Sequence, residues 1–193
     1  RTYRQTFSDK AEQIVRSLTL EQKVSLMGGR VTLASMQAEM ANNPDAHYNS
    51  RPYDAGGIPE CGIPPVMFCD GPRGVVCGSG KSTCFPVTMC RGATFDRELE
   101  YRIGQAIGEE CRFFGANLFG GICINLAYHP GWGRSQETYG EDSFHLGEMG
   151  RALLLGVQSK SVIGCVKHYA FNQMEISRTK VSVDCDRRTE REV

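Results

Sequence analysis

The chain has no surplus of either charge. Its 193 residues carry 22 Lys+Arg against 22 Asp+Glu, and the isoelectric point is near 7.0. A nucleic-acid binder needs a basic face to offset phosphate, so the balance argues against that class. No polybasic run is present to hold an anionic membrane surface. No apolar run approaches the roughly 18–20 residues of a membrane span. The spacing Cys-x-x-Cys is missing too, which leaves zinc ribbons and dithiol redox motifs unsupported. No charged-then-apolar leader follows Arg1, so any targeting segment is expected to be absent or already removed.

Hydrophobic residues make up 40% and charged residues 23%, which is the composition of a folded chain rather than a disordered one. The length fits one domain or part of a larger one. The nine cysteines are Cys61, Cys69, Cys77, Cys84, Cys90, Cys111, Cys123, Cys165 and Cys185. Several, such as Cys123 and Cys165, sit inside apolar runs. Buried free thiols in a reducing cytosol are the plain reading, and the expected location is cytoplasmic. One or two disulfides in a secreted or periplasmic enzyme are the alternative.

Two organisational segments are expected. Residues 1–62 hold N-terminal helices and an irregular loop. Ala11, Ile14, Val15 and Leu18 form one apolar stripe, and Thr19-Leu-Glu-Gln22 has capping-box form ahead of Val24 and Met27. From 30 to 62 the sequence reads as a long irregular loop around one helical turn. Residues 63–193 alternate between strand and helix patterns. Strands are expected over 65–69, 121–127 and 161–166, with a fourth near 181–184. Helices follow Asp96 and cover Leu146, Met149, Leu153 and Val157. Such alternation indicates βα units and a parallel sheet.

The polar clusters fall at strand ends. Asp70, the Gly-rich loop with Arg134, and Lys167-His168 each follow an apolar strand. In a parallel α/β sheet those ends share one rim, where α/β active sites form. Each cluster also has a plainer role: a turn aspartate, a looped salt bridge, a core histidine beside a rim lysine. The loop 128–142 holds the only Trp, and its Glu141-Asp142 suits a helix cap as well as a ligand. Asn172, Glu175 and Arg178 fit one face of a helical turn. Gly78-Ser-Gly80-Lys81-Ser82 falls short of a phosphate loop, because position 75 is Val75 and Pro86 interrupts the helix that must follow. A catalytic cysteine is not specified, since nine thiols and four histidines pair too freely.

Taken together, these segments resemble the N-terminal catalytic domain of family 3 glycoside hydrolases, the β-glucosidase and β-xylosidase group. The stretches that carry the resemblance are Leu18-Thr-Leu-Glu-Gln-Lys-Val24, Gly62-Ile-Pro to Asp70-Gly-Pro-Arg-Gly74, and Thr83-Cys-Phe-Pro86 with Ala93-Thr-Phe-Asp96. Trp132-Gly-Arg134 with Glu137 and Glu141-Asp142 continues it, as does Lys167-His168-Tyr169 with Asn172, Glu175 and Arg178. Tyr128 departs from the pattern, standing where relatives often carry Arg.

The resemblance implies an α/β fold of the (β/α)8 TIM-barrel type, present here as its N-terminal portion only, an incomplete barrel. It implies retaining, exo-acting hydrolysis of β-glucosides or xylosides. Asp70 matches the carboxylate that holds the sugar hydroxyls. Arg134, Lys167 and His168 match basic residues of the same subsite. The nucleophile and the acid/base are expected beyond Val193, so no catalytic carboxylate is assigned here. The expected partners are the substrate and the rest of the same enzyme, its later barrel strands and C-terminal domains. No metal or cofactor is called for. A non-catalytic carbohydrate-binding fragment or protein is the alternative.

Overall fold

A computed structural model describes residues 6–78 and 80–192. The chain divides into two compact units. One takes in the chain as far as Tyr48 together with Tyr53–Phe68; the other takes in Asn49–Pro52 and everything from Cys69 onwards.

In the first unit, helix α1 spans Ser8–Ser17 and α2 spans Leu20–Ser25. The capping box forms as the sequence indicates. Thr19 Oγ1 accepts from the Gln22 amide at 3.2 Å, and Gln22 Oε1 accepts from the Thr19 amide at 2.9 Å. The stretch expected to be a loop contains a ten-residue helix, α3, over Leu33–Asn42. Thr32 and Ser35 cap it reciprocally, and Leu, Ala, Met, Gln and Glu fill its interior with good helix formers. Strand β1 (Tyr53–Ala55) pairs antiparallel with β2 (Val66–Cys69), with Tyr53 opposite Phe68. This pair departs from the expected all-parallel sheet. Three residues are too few to show a period, so β1 left no pattern to read.

The second unit is built from βα elements. Helix α4 spans Thr88–Gly92 and leads into α5, Arg97–Phe113. Asp96 caps α5 through the Leu99 amide at 2.9 Å. Strand β3 is Leu118–Cys123, α6 is Ser143–Gln158, β4 is Ile163–Lys167, and α7 is Arg187–Glu192. Strands β3 and β4 run parallel, with Cys123 opposite Lys167. Ile103, Ile107, Cys111, Phe119, Ile122 and Leu153 make the core between the helices and β3. Helices α5 and α6 pack through glycines: a Cβ on Gly104 would meet the Leu153 carbonyl at 2.5 Å, and one on Gly156 would meet the Tyr101 carbonyl at 2.2 Å.

Four expectations are corrected here. Strand β3 starts three residues early and ends at Cys123; the Ile124 amide still donates to the Lys167 carbonyl at 2.9 Å, and 124–127 are not strand. Strand β4 is not buried: Ile163 is 51% exposed and Cys165 is exposed, because β3 is its only ladder partner among the described residues. Residues 181–184 are not a strand. Val181 and Val183 alternate correctly but join no ladder, and alternation without a neighbour does not hold a strand. The residues 176–180 form a turn rather than a helix. Among the described residues, no helix is long and apolar enough to cross a membrane.

The near-miss glycine loop also takes another form. Its Ser79 lies outside the described residues. No helix follows it before Thr88, and the Thr83 amide and hydroxyl are both taken by the Glu110 carboxylate. A carboxylate occupying those donors leaves no cradle for a phosphate.

Candidate functional site

Asp70 sits immediately after β2, where the chain must turn sharply. Gly71 and Gly74 take φ of 124° and 132°, values closed to other residues, and a Cβ on Gly71 would lie 1.8 Å from the Gly74 carbonyl oxygen. The Val76 amide donates to the Asp70 carbonyl at 2.8 Å and closes the turn. Gly121 on β3 lets the turn lie close, since a Cβ there would meet the Gly71 carbonyl at 2.5 Å.

Asp70 Oδ1 accepts from the Gly71 amide at 2.8 Å and from Lys167 Nζ at 2.6 Å. The two side chains are 19% and 15% exposed, so the ion pair is largely withdrawn from solvent but reachable. Lys167 is the last residue of β4, and Cys123 beside it is the last of β3.

The Lys167–His168 peptide is cis. His168 is fixed by Asn125, two residues past β3. Asn125 Oδ1 accepts from the His168 amide at 3.0 Å and from Nδ1–H at 2.7 Å. An amide oxygen is only an acceptor, so Nδ1 carries the proton and Nε2 carries the lone pair. Burial first, and then the positive charges of Arg134 and Lys167, push His168 from 6.5 down to about 4. The ring is therefore neutral near pH 7 and presents an acceptor.

Arg134 leads into a short helical turn over Ser135–Glu137. Its Nε and Nη2 donate to Glu137 at 2.8 and 2.7 Å, a bidentate pairing. Glu175 approaches Arg134 at 3.8 Å and Arg178 at 3.2 Å. Burial alone would raise the Glu137 carboxyl, but the Arg134 hydrogen bonds and charge, with Lys167, bring it below its usual range. The hydrogen bonds to Glu137 push the Arg134 guanidinium up.

All of these groups gather around the end of β3. The Cys123 thiol donates to Glu137 Oε2 at 3.6 Å and feels the charges of Lys167, Glu137, Arg134 and Asp70. Burial pushes this thiol up to about 12, so it is inert as a nucleophile. The structure thus brings Asp70, Arg134, Lys167 and His168 together. Glu137 and Glu175 brace Arg134, and Glu175 does so from irregular backbone just before the 176–180 turn, not from the helical face the spacing indicated. Trp132 is 4% exposed, so its ring packs the loop rather than facing a ligand. Asn125 is the member that sequence reasoning missed. It lies within Ile-Asn-Leu, where a polar residue inside an apolar run was the one available signal. Among the described residues, no group of three or more His, Cys, Asp or Glu is arranged to hold a metal.

Comparisons with known proteins agree with one another. The glycosyl hydrolase family 3 N-terminal domain matches residues 28–192. A β-glucosidase described as putative from Schizosaccharomyces pombe is 37% identical over 145 residues, covering 73% of this chain and 17% of that protein. Thermostable β-glucosidase B of Acetivibrio thermocellus is 31% identical over 193 residues, covering 94% of this chain and 23% of that protein. Among solved structures, β-glucosidase 3B from Thermotoga neapolitana in complex with α-D-glucose superposes with a TM-score of 0.74 at 31% identity. That match covers 86% of this chain and 24% of the other. The chain spans roughly a fifth of the length of the curated relatives it matches. Its α/β fold is that of the N-terminal portion of a (β/α)8 barrel.

Proposed function

Because the chain belongs to glycosyl hydrolase family 3, we propose that it supplies the substrate-holding subsite of a retaining, exo-acting β-glucosidase-type hydrolase. In this reading residues 63–193 are the first βα units of the barrel and 1–62 lead into them. The observation that carries it is the meeting of Asp70, Lys167, His168 and Arg134 at the end of β3, with Asp70 and Lys167 bonded to each other, His168 to Asn125 and Arg134 to Glu137.

The arrangement suits a neutral polyol. Asp70 accepts from sugar hydroxyls, Lys167 donates, and His168 Nε2 accepts. Adjacent hydroxyls both donate and accept, so alternating partners fix one pyranose in one orientation. Arg134, squared by Glu137, borders the same space. Bonds from charged groups that shorten as the ring approaches an oxocarbenium-like state stabilise that state more than the bound sugar. Retaining cleavage also needs two carboxyls about 5–5.5 Å apart, one to attack and one to donate a proton. We assign these to chain beyond Val193, together with later barrel strands and C-terminal domains as partners. β-Xylosides are accepted by the same hydroxyl chemistry. All nine cysteines are free thiols, as a reducing compartment keeps them, and a cytoplasmic location belongs to this reading.

The test is Asp70→Ala in the full-length protein, assayed on an aryl β-glucoside. Losing two charge-assisted bonds, each about 1.5–3 kcal/mol, lowers kcat/KM by about 100-fold or more. An unchanged kcat/KM rejects the assignment.

A further inference from the structure

A second polar cluster is built from residues other than the four of the subsite. Arg91 on α4 is 2% exposed, Glu100 on α5 is 0% exposed, and Tyr139 in the loop before α6 is 2% exposed. Arg91 Nη2 lies 3.2 Å from Glu100 Oε1, and the Tyr139 hydroxyl donates to the same oxygen at 2.7 Å. The same Nη2 donates to the Pro72 carbonyl at 3.1 Å and to Thr88 Oγ1 at 3.2 Å. Burial pushes the Tyr139 hydroxyl well above its usual range, so it stays protonated and donates.

The placement is informative. Pro72 is two residues past Asp70, inside its turn. Tyr139 is two residues past Glu137, which squares Arg134. Thr138 between them donates to the Asn125 carbonyl at 2.5 Å, and Asn125 orients His168. Gly92, next to Arg91, lies so close to the Tyr139 backbone that a Cβ would meet its carbonyl at 2.1 Å. One continuous path therefore runs from the Asp70 turn through Arg91 and Glu100 to the Arg134 loop.

A fully buried ion pair is a poor device for stability, because desolvating both charges offsets their attraction. Here Arg91 Nε and Nη1 and Glu100 Oε2 are buried without a hydrogen-bond partner, which deepens that cost. An apolar trio would pack the same space at least as stably, but it would not grip the Pro72 carbonyl or fix the Tyr139 hydroxyl. We propose that Arg91, Glu100 and Tyr139 are positioning residues that clamp the Asp70 turn to the loop carrying Arg134. The clamp rests on the glycosidase reading for its kinetic consequence and on geometry alone for its structural one.

The experiment compares the full-length protein with a triple variant, Arg91→Met, Glu100→Leu and Tyr139→Phe, each with and without Asp70→Ala. Amide hydrogen exchange is read first. The Gly74 and Val76 amides, which close the Asp70 turn, exchange at least tenfold faster in the triple variant, while Ile122 in β3 changes less than threefold. On an aryl β-glucoside, kcat/KM falls at least tenfold; in the Asp70→Ala background the same triple change costs less than threefold. Unchanged turn exchange overturns the clamp, and so does an equal kinetic loss in both backgrounds, which marks a merely structural role. If turn exchange accelerates but the wild-type protein turns over no glycoside, the clamp stands and the glycosidase reading falls. Tyr139→Phe alone, which removes one oxygen and no charge, guards against a triple variant that does not fold. It speeds turn exchange at least threefold, and no acceleration overturns the proposal.

Discussion

Acidification should weaken the fold through His168, in addition to carboxylates held low by their partners such as Glu137. The unfolded chain takes up a proton on this ring near pH 6.5, whereas the folded chain does not until about pH 4. Between those values the unfolded state binds more protons, so stability falls as pH falls and levels off below about 4. At about 1.4 kcal/mol per pH unit, this interval corresponds to about 3 kcal/mol. Solvent reaches part of the ring, and screening trims the expected loss to about 2 kcal/mol.

Urea unfolding at pH 7.5 and at pH 4, on the wild type and on His168→Gln, singles out the ring and the groups coupled to it, because titrating groups away from the site cancel in the difference. The wild type should lose about 2 kcal/mol more than the variant over that range. Arg134→Gln removes a positive charge that holds the ring neutral, so it should shrink the loss and move its midpoint upward. The chain has only four histidines, so the ring titration can be followed directly by NMR. A His168 midpoint at or above 6, or parallel pH curves for wild type and His168→Gln, refutes the assignment of a neutral ring held by Asn125.

Two glycines of α6 should respond in opposite senses. Gly156→Ala drives a methyl into the Tyr101 carbonyl and the Gln105 amide of α5 and should cost more than about 2 kcal/mol; Gly147→Ala meets nothing within 4 Å and should gain about 0.5–1 kcal/mol. Thermal melts of the two variants check both signs. The thiols should divide by burial: Cys84, Cys90, Cys165 and Cys185 are exposed and should react with a maleimide in the native state, while Cys69, Cys77, Cys111 and Cys123 are buried and should react only after unfolding. Peptide mapping of the labelled protein tells them apart, and native labelling of Cys123 contradicts the packing at the end of β3.

The parts of this structure that were legible in the sequence share a cause. Helices α5 and α6 run 17 and 16 residues, long enough for a 3.6-residue period to accumulate, and each is announced by an aspartate cap. Asp70, Arg134, Lys167 and His168 stood out because charged groups at the ends of apolar strands need a reason to be there. Helix α3 was missed because Met36 and Met40 look like one turn, and its Thr32/Ser35 cap lacks the Glu or Gln of the usual signature. The exposure of β4 depends on what lies beside it, which no local pattern records. Arg91 and Glu100 are the clearest case. No sequence pattern joins them, since they stand nine residues apart and on two helices. Only the packing of α4, α5 and the Tyr139 loop puts both below 3% exposure and within 3.2 Å.

The charge pattern of the site bears on the ligand independently of family. Lys167 is matched by Asp70, Arg134 by Glu137, and Glu175 by Arg178, while His168 is neutral near pH 7. The cluster thus carries many charges and almost no net charge. An anionic ligand such as a phosphate gains most from a surplus of cations, whereas the cations described here are matched by carboxylates. A neutral polyol gains most where strong donors and strong acceptors lie within one hydroxyl spacing of each other, because each hydroxyl then exchanges a water bond for a charge-assisted one without an ion being left alone. For the sugar proposed as ligand, pairing the ions beforehand would also limit what must move: Asp70 and Lys167 are held in place by the Gly71 amide and by each other. Substrate discrimination in such a site depends on where hydroxyls fall relative to fixed partners. On the proposed reading, this asks the turn carrying Asp70 and the loop carrying Arg134 to keep a constant separation.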